Sequence, residues 1–177
     1  MSNAAATPVG ITRPNEYYDV VPRVLRNVVS YPFNGTFTST VTVATANAIP
    51  QITQGNEVMA FNYTANSLSS WLEFEVFTNI LTNIGSTIYW MALFADYTPD
   101  ALLVIPGGNV AGPSAQLLIN HYAKHYMMPV SLNPIRYSIR MAPSANTMVV
   151  NWFAYGGRTQ SRVTVKEWSS LNLNNTP

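Results

Sequence analysis

The chain contains no cysteine, which excludes disulfide frameworks, cysteine-bound zinc and thiol nucleophiles together. Charge is scarce too: 10% of its 177 residues are Asp, Glu, Lys or Arg, where an ordinary globular domain carries about 25%. The nine Lys and Arg are scattered and the net charge is +1, so the basic stripe of a sequence-reading nucleic-acid binder is missing. The opening segment MSNAAATPVGITRPNEYYD has neither a positive n-region nor an apolar h-region, and no signal peptide is expected there. Val76 to Ala95 is uncharged, but Asn79, Asn83 and Gly85 interrupt it, and Asn27 to Asn56 is equally uncharged. Lack of charge is a property of the whole chain, and no membrane span is expected.

Hydrophobic residues make up 47% of the chain, enough for the core of one domain of this size. A surface so poor in charge must be polar through Asn, Thr and Ser, or must be covered by other subunits. Assembly is therefore expected.

Strict alternation recurs, as half-buried strands require. In TFTSTVTVA, Phe37, Ser39, Val41 and Val43 oppose Thr36, Thr38, Thr40 and Thr42. In WLEFEVF, Leu72, Phe74 and Val76 oppose Trp71, Glu73, Glu75 and Phe77. IRYSIRM sets Ile135, Tyr137, Ile139 and Met141 against Arg136, Ser138 and Arg140, and RVTVKEW sets Val163 and Val165 against Arg162, Thr164 and Lys166. Phe37, Val41, Val43, Leu72, Phe74 and Val76 are the expected core. STIYWMALFADY and MVVNWFAY are apolar on both faces, so something should cover their outer sides. Turn-forming Gly, Pro, Asn and Asp separate these runs, the pattern of an all-β sandwich or barrel. SAQLLINHYAKHYMMPV fits strand and helix equally. Residues 1–30 read as an extended N-terminal arm in which Pro8, Pro14, Pro22 and nearby Pro32 block pairing. The sandwich then occupies 31–170, with 171–177 as a tail.

Catalytic patterns are thin. His121 and His125 lie four apart, a spacing that suits metal ligands on a helix, but no third ligand is near in sequence, so no metal site is expected. Two histidines are too few for the cluster of an enzymatic cupin. Glu73 and Glu75 share a strand face at a spacing that paired glycosidase carboxylates tolerate, yet no second acid or aromatic platform can be identified beside them. No Gly-x-Ser-x-Gly elbow occurs, and IPGGNVAG lacks the Lys and Ser/Thr of a phosphate loop. No enzyme is expected.

YPFNGTF, FNYTANSLSSWLEFEVFTN, STIYWMALFADYTPDALLVIPGG and NPIRYSIRMAPSANTMVVNWFAYGG resemble, in order and spacing, successive strands of tymovirus-like coat proteins. More broadly they resemble the single jelly roll of small icosahedral plus-strand RNA viruses, over about Ser30 to Val165. The resemblance implies an eight-stranded antiparallel jelly roll, copies of which tile an icosahedral shell around genomic RNA bound without sequence preference. It also implies a location in the virion, and in the host cytoplasm during assembly. On that reading Trp71, Glu73, Glu75, Phe77, Tyr89 and Trp152 meet neighbouring subunits, and Lys124, His121, His125, Arg136 and Arg140 face RNA. Glu73 and Glu75 at a junction would make assembly respond to pH or divalent ions. So few cations leave most genome charge to polyamines or divalent cations, with no cofactor of the protein's own, and shell formation should rest on protein contacts. The competing reading is a jelly-roll binding module, such as a lectin or a trimeric receptor-binding head.

Overall fold

The alternating runs become antiparallel strands, and no helix occurs among the described residues. A computed structural model describes residues 23–39, 48–82, 87–109, 117–144, 148–151, 153–154, 157–158 and 160–170. The strands are β1 (Arg23–Phe33), β2 (Phe37–Ser39), β3 (Asn56–Tyr63), β4 (Trp71–Thr82), β5 (Thr87–Ala95) and β6 (Leu103–Asn109). They continue as β7 (Leu117–Met127), β8 (Ile135–Pro143), β9 (Met148–Val150), β10 (Phe153–Ala154), β11 (Gly157–Arg158) and β12 (Ser161–Ser170).

One sheet runs β1-β12-β4-β7 and the other β3-β8-β5-β6. Counting only these eight strands in chain order, the sheets read first-eighth-third-sixth and second-seventh-fourth-fifth, which is the order of a jelly roll built from two Greek keys. β4 organises the first sheet. β7 pairs along its whole length on one edge, while β12 pairs with Trp71–Phe77 on the other and β9 takes over at Ile80–Thr82. β2 extends β9, and β10 pairs with β11.

The core lies between the sheets. Leu72, Phe74, Val76, Val163 and Val165 from the first sheet meet Tyr89, Met91, Leu93, Tyr137, Ile139 and Met141 from the second. The Phe74 and Tyr137 rings lie 4.8 Å apart and join a run of rings through Phe61 to Tyr31. Phe37 packs partly buried against this cluster, whereas Val41 and Val43 lie outside the described residues.

Two expectations are corrected, and one segment left open between strand and helix is resolved. Residues 23–30 were expected in the arm, but pairing with β12 begins at Arg23, and Pro32 sits within the ladder opposite Arg162. β1 ends its sheet, where a missing N–H costs no ladder bond on the solvent side. The ambiguous histidine segment is the strand β7. MVVNWFAY is interrupted at Asn151, whose positive φ of 54° suits an asparagine. Its side-chain amide donates to the carbonyls of Phe33 and Gly35 and so closes the turn.

The second face of β5 is covered by the chain itself at Ala92 and Phe94 but stays exposed at Ile88. Ala92 and Phe94 are buried outside the core, and Arg140, beside Ala92 in register, donates to the carbonyls of Gln54 and Gly55. That arginine ties Gln54 and Gly55 to the sheet. Gly55 takes φ 67° there, with its α-carbon so close that an added Cβ would lie 2.9 Å from the Trp90 ring.

Gly107 has a different task. It stands opposite Tyr89 in the β5–β6 ladder, and a Cβ on it would lie 2.3 Å from the Tyr89 ring. Gly107→Ala is therefore expected to displace that ring and to destabilise the fold by about 1–3 kcal/mol through overpacking, measured as a lowered denaturant midpoint. An unchanged midpoint would show that the ring has room to move.

Candidate functional site

The outward face of β12-β4-β7 gathers a cluster of the chain's sparse charge, Glu73, Glu75, Lys124 and Lys166. Register sets Glu73 between Lys166 and Tyr126, and Glu75 between Thr164 and Lys124. The Lys124 ammonium reaches Glu73 at 2.5 Å and Glu75 at 2.9 Å, and the Lys166 ammonium reaches Glu75 at 2.8 Å. The Tyr122 hydroxyl donates to Glu75, and the Tyr126 hydroxyl and the Trp168 indole N–H donate to Glu73. Glu73 is only 5% exposed, so these donors replace its lost water. Burial alone would raise the Glu75 carboxyl, but hydrogen bonds from Lys166, Lys124 and Tyr122 outweigh it and hold Glu75 at about 2. Cations also sit on rings at the border, Arg23 over Trp71 at 5.7 Å and Arg162 over Phe77 at 5.1 Å.

The expected interface set is thus partly gathered. Trp71, Glu73, Glu75 and Phe77 share this face; Trp152 lies outside the described residues; Tyr89 does not belong to the set at all. Tyr89 is a core residue, because β5 is apolar on both sides and its other side became the outer one. Nor do Glu73 and Glu75 present bare, mutually repelling carboxylates, since two lysines of the same chain balance them. The Lys124, Lys166 and Tyr122 donors around Glu75 favour its ionised form.

The five residues expected to face RNA are divided among three places. Lys124 points outward into the glutamates. His121 and His125 are half-buried on the inward side of the same strand, against Tyr89 and Phe74. Arg136 and Arg140 lie on the outer face of the other sheet, where both reach Glu57 and Arg136 also reaches Asp96. Among the described residues, no group of three His, Cys, Asp or Glu is placed to hold a metal ion.

Tyr89 and His121 make a buried polar contact of 2.5 Å between the phenol oxygen and Nε2. Burial pushes Tyr89 up to about 12 and lowers both histidines, so a neutral phenol and a neutral imidazole share this hydrogen bond. In the unfolded chain each histidine regains a value of about 6.5 and takes up protons more readily than in the fold. The stabilising effect is therefore complete above about pH 6.5 and declines as pH falls through that value towards the lower folded values. The unfolding midpoint is expected to drop between about pH 7 and 5.5, and a His121→Gln, His125→Gln double variant should flatten that slope. An unchanged slope would place its origin elsewhere.

One further carboxylate escaped sequence reasoning. Glu167 is 1% exposed and accepts from the Tyr63 hydroxyl, both nitrogens of Asn66, the Ser67 amide and the Ser70 hydroxyl. Burial opposes its ionisation, but these donors prevail and lower its pKa. The available signal was parity: Glu167 continues the inward series of Val163 and Val165.

No protein family and no curated protein matches the chain. Among solved structures it is similar to latent PorU from Porphyromonas gingivalis, at 13% identity and TM-score 0.41, over 80% of this chain and 13% of that one. It is also similar to a chain of infectious bursal disease virus, strain Gx, at 11% identity and TM-score 0.29, over 81% of this chain and 42% of that one. A third similarity is to a full particle of Israeli acute paralysis virus, at 12% identity and TM-score 0.23, over 95% and 83%. None of the three is a tymovirus coat protein.

Proposed function

We propose that the chain is a viral coat protein that packs against copies of itself to form a closed icosahedral shell around RNA. The observation that carries this reading is the distribution of exposed apolar side chains over several faces of a charge-poor jelly roll. Leu25 and Val28 lie on β1, Tyr122 and Tyr126 on β7, Met128 and Val130 in the loop that follows, and Ile88 on β5, at exposures from 43% to 58%. A two-fold dimer would collect such residues into one self-complementary patch, whereas a tiled subunit needs contacts on several sides. Each Å² of apolar surface covered contributes on the order of 25 cal/mol before association costs, so modest contacts summed over a closed shell suffice.

The tymovirus-like resemblance is the narrower form of this proposal. Location in the virion, assembly in the host cytoplasm and sequence-nonspecific RNA contact belong to it as well. With Lys124, Arg136 and Arg140 engaged by carboxylates, polyamines or divalent cations would balance most genome charge. Negative-stain microscopy and sedimentation of the purified protein at neutral pH test the reading. Closed particles that survive nuclease and moderate salt are expected. Monomers or discrete trimers alone would overturn it and favour a jelly-roll binding module.

A further inference from the structure

Beside the buried Glu167, at one end of the sandwich, lies a cavity of about 680 Å³, within the range that holds small ligands. Its described lining residues all carry polar side chains and come from two independent devices. The first is a bulge in β1: Leu25 pairs with Trp168 and Asn27 with Glu167, so Arg26 is an extra residue without a partner in the ladder. Bulges re-aim side chains, and both Arg26 and Asn27 line the cavity. Arg26 is held by its Nε, which donates to the Ser169 hydroxyl at 2.7 Å. Among the described residues its terminal nitrogens have no acceptor, and they are left for a ligand. The second device is Glu167 itself. Its bonds to Asn66, Ser67 and Ser70 fix the loop that supplies the opposite wall.

The lining selects among ligand classes. A divalent cation needs carboxylate lone pairs, and five donors already occupy those of Glu167. A nucleotide needs a ring to stack on, and among the described residues no aromatic side chain lines the cavity. A phosphate would bring about two negative charges to one arginine that stands beside a buried carboxylate. What fits is a ligand with one negative charge and several hydroxyls: the charge on the Arg26 fork, the hydroxyls on the amides and hydroxyls of Asn27, Asn66, Ser67 and Ser169.

We propose that this cavity binds an acidic sugar, with its carboxylate paired to Arg26 and its ring hydroxyls to the Asn and Ser side chains. The site does not depend on shell formation, and it adds a ligand to either a coat protein or a smaller oligomer.

Saturation-transfer NMR tests it, because the method works on subunits and on large particles alike. Glucuronate, glucose and acetate are titrated against the full chain. Glucuronate is expected to bind at least tenfold more tightly than either of the others, since only it offers both halves of the recognition. Arg26→Met should reduce glucuronate affinity at least tenfold while leaving glucose unchanged, and Ser169→Ala, which frees the Arg26 side chain, should reduce it severalfold. Both residues are at the surface or rim, so an unfolding midpoint checks that the variants remain folded. A disaccharide ending in glucuronate separates two sources of the same chemistry: tighter binding than the free acid assigns the site to glycan ends, and weaker binding to the monosaccharide. Equal binding of glucuronate and glucose, or an Arg26→Met protein that keeps its glucuronate affinity, overturns the proposal, as does absence of transfer to all the sugars.

Discussion

Phe74→Ala is expected to lower the free energy of unfolding by about 3–5 kcal/mol, through lost burial and the cavity left behind. Phe74 is fully buried in the first half of β4, between Val165 of β12 and His125 of β7. Across the sandwich its ring meets Tyr137 at a centroid distance of 4.8 Å, so it is one of the contacts that hold the two sheets together. Strands on both sides are fixed by their ladders, and the site cannot collapse to fill the space. Phe77→Ala gives the contrast. That ring lies on the outer face under Arg162, where water can replace it, and its loss should cost less than half as much. Denaturant unfolding of the dissociated subunit measures both. A Phe74→Ala midpoint equal to that of the unaltered protein would mean that the two faces of β4 have been exchanged.

The face assignment was legible because a half-buried strand must alternate. Leu72, Phe74 and Val76, Tyr137 and Ile139, and Val163 and Val165 all point inward as their parity requires. Parity failed where both faces are apolar. In β5 it could not tell Tyr89 from Trp90, because the outer face meets Arg140 of the neighbouring strand and Gly55, both distant in sequence. In β7 two of the inward positions are histidines, beside Ile119, Ala123 and Met127, and the outward ones mix Leu118, Tyr122 and Tyr126 with Asn120 and Lys124, so the strand carried no clean polar face. Pro32 argued against pairing, but an edge strand tolerates it.

The candidate site was half legible for a related reason. Glu73 and Glu75 were visible as a pair on one face, but their neutralisation was not. Lys124 and Lys166 come from strands about 50 and 90 residues further along the chain, and only sheet order brings them beside β4. Local alternation divides the β7 cations expected to face RNA. Their proximity in sequence, at His121, Lys124 and His125, is undone by alternation, which sends the lysine out and the histidines in.

Glu167→Ala should cost roughly 3–5 kcal/mol, although it removes a charged residue from a chain that buries few of them. A buried carboxylate without a cation is stable only while hydrogen bonds replace its hydration, and here five donors do so. Removing it strands the Tyr63 hydroxyl in the interior and frees the amides of Asn66 and Ser67. Each buried donor left without an acceptor costs about 1–3 kcal/mol, less whatever the loop regains by opening to water. Glu167→Gln keeps the volume but turns one acceptor into a donor that faces other donors, so it should fall between the two. The pH response has a definite sign. The folded carboxyl lies below its unfolded value of about 4.3, so its contribution is complete above that pH and is lost as pH falls through the lower folded value. Hydrogen exchange distinguishes this role from general loss of stability. In Glu167→Ala the amides of Asn66 and Ser67 should exchange faster at neutral pH, well before those of β4. If their protection and the unfolding midpoint both stay as they are in the unaltered protein, the loop does not depend on Glu167, and the preorganised wall of the adjoining cavity loses its support.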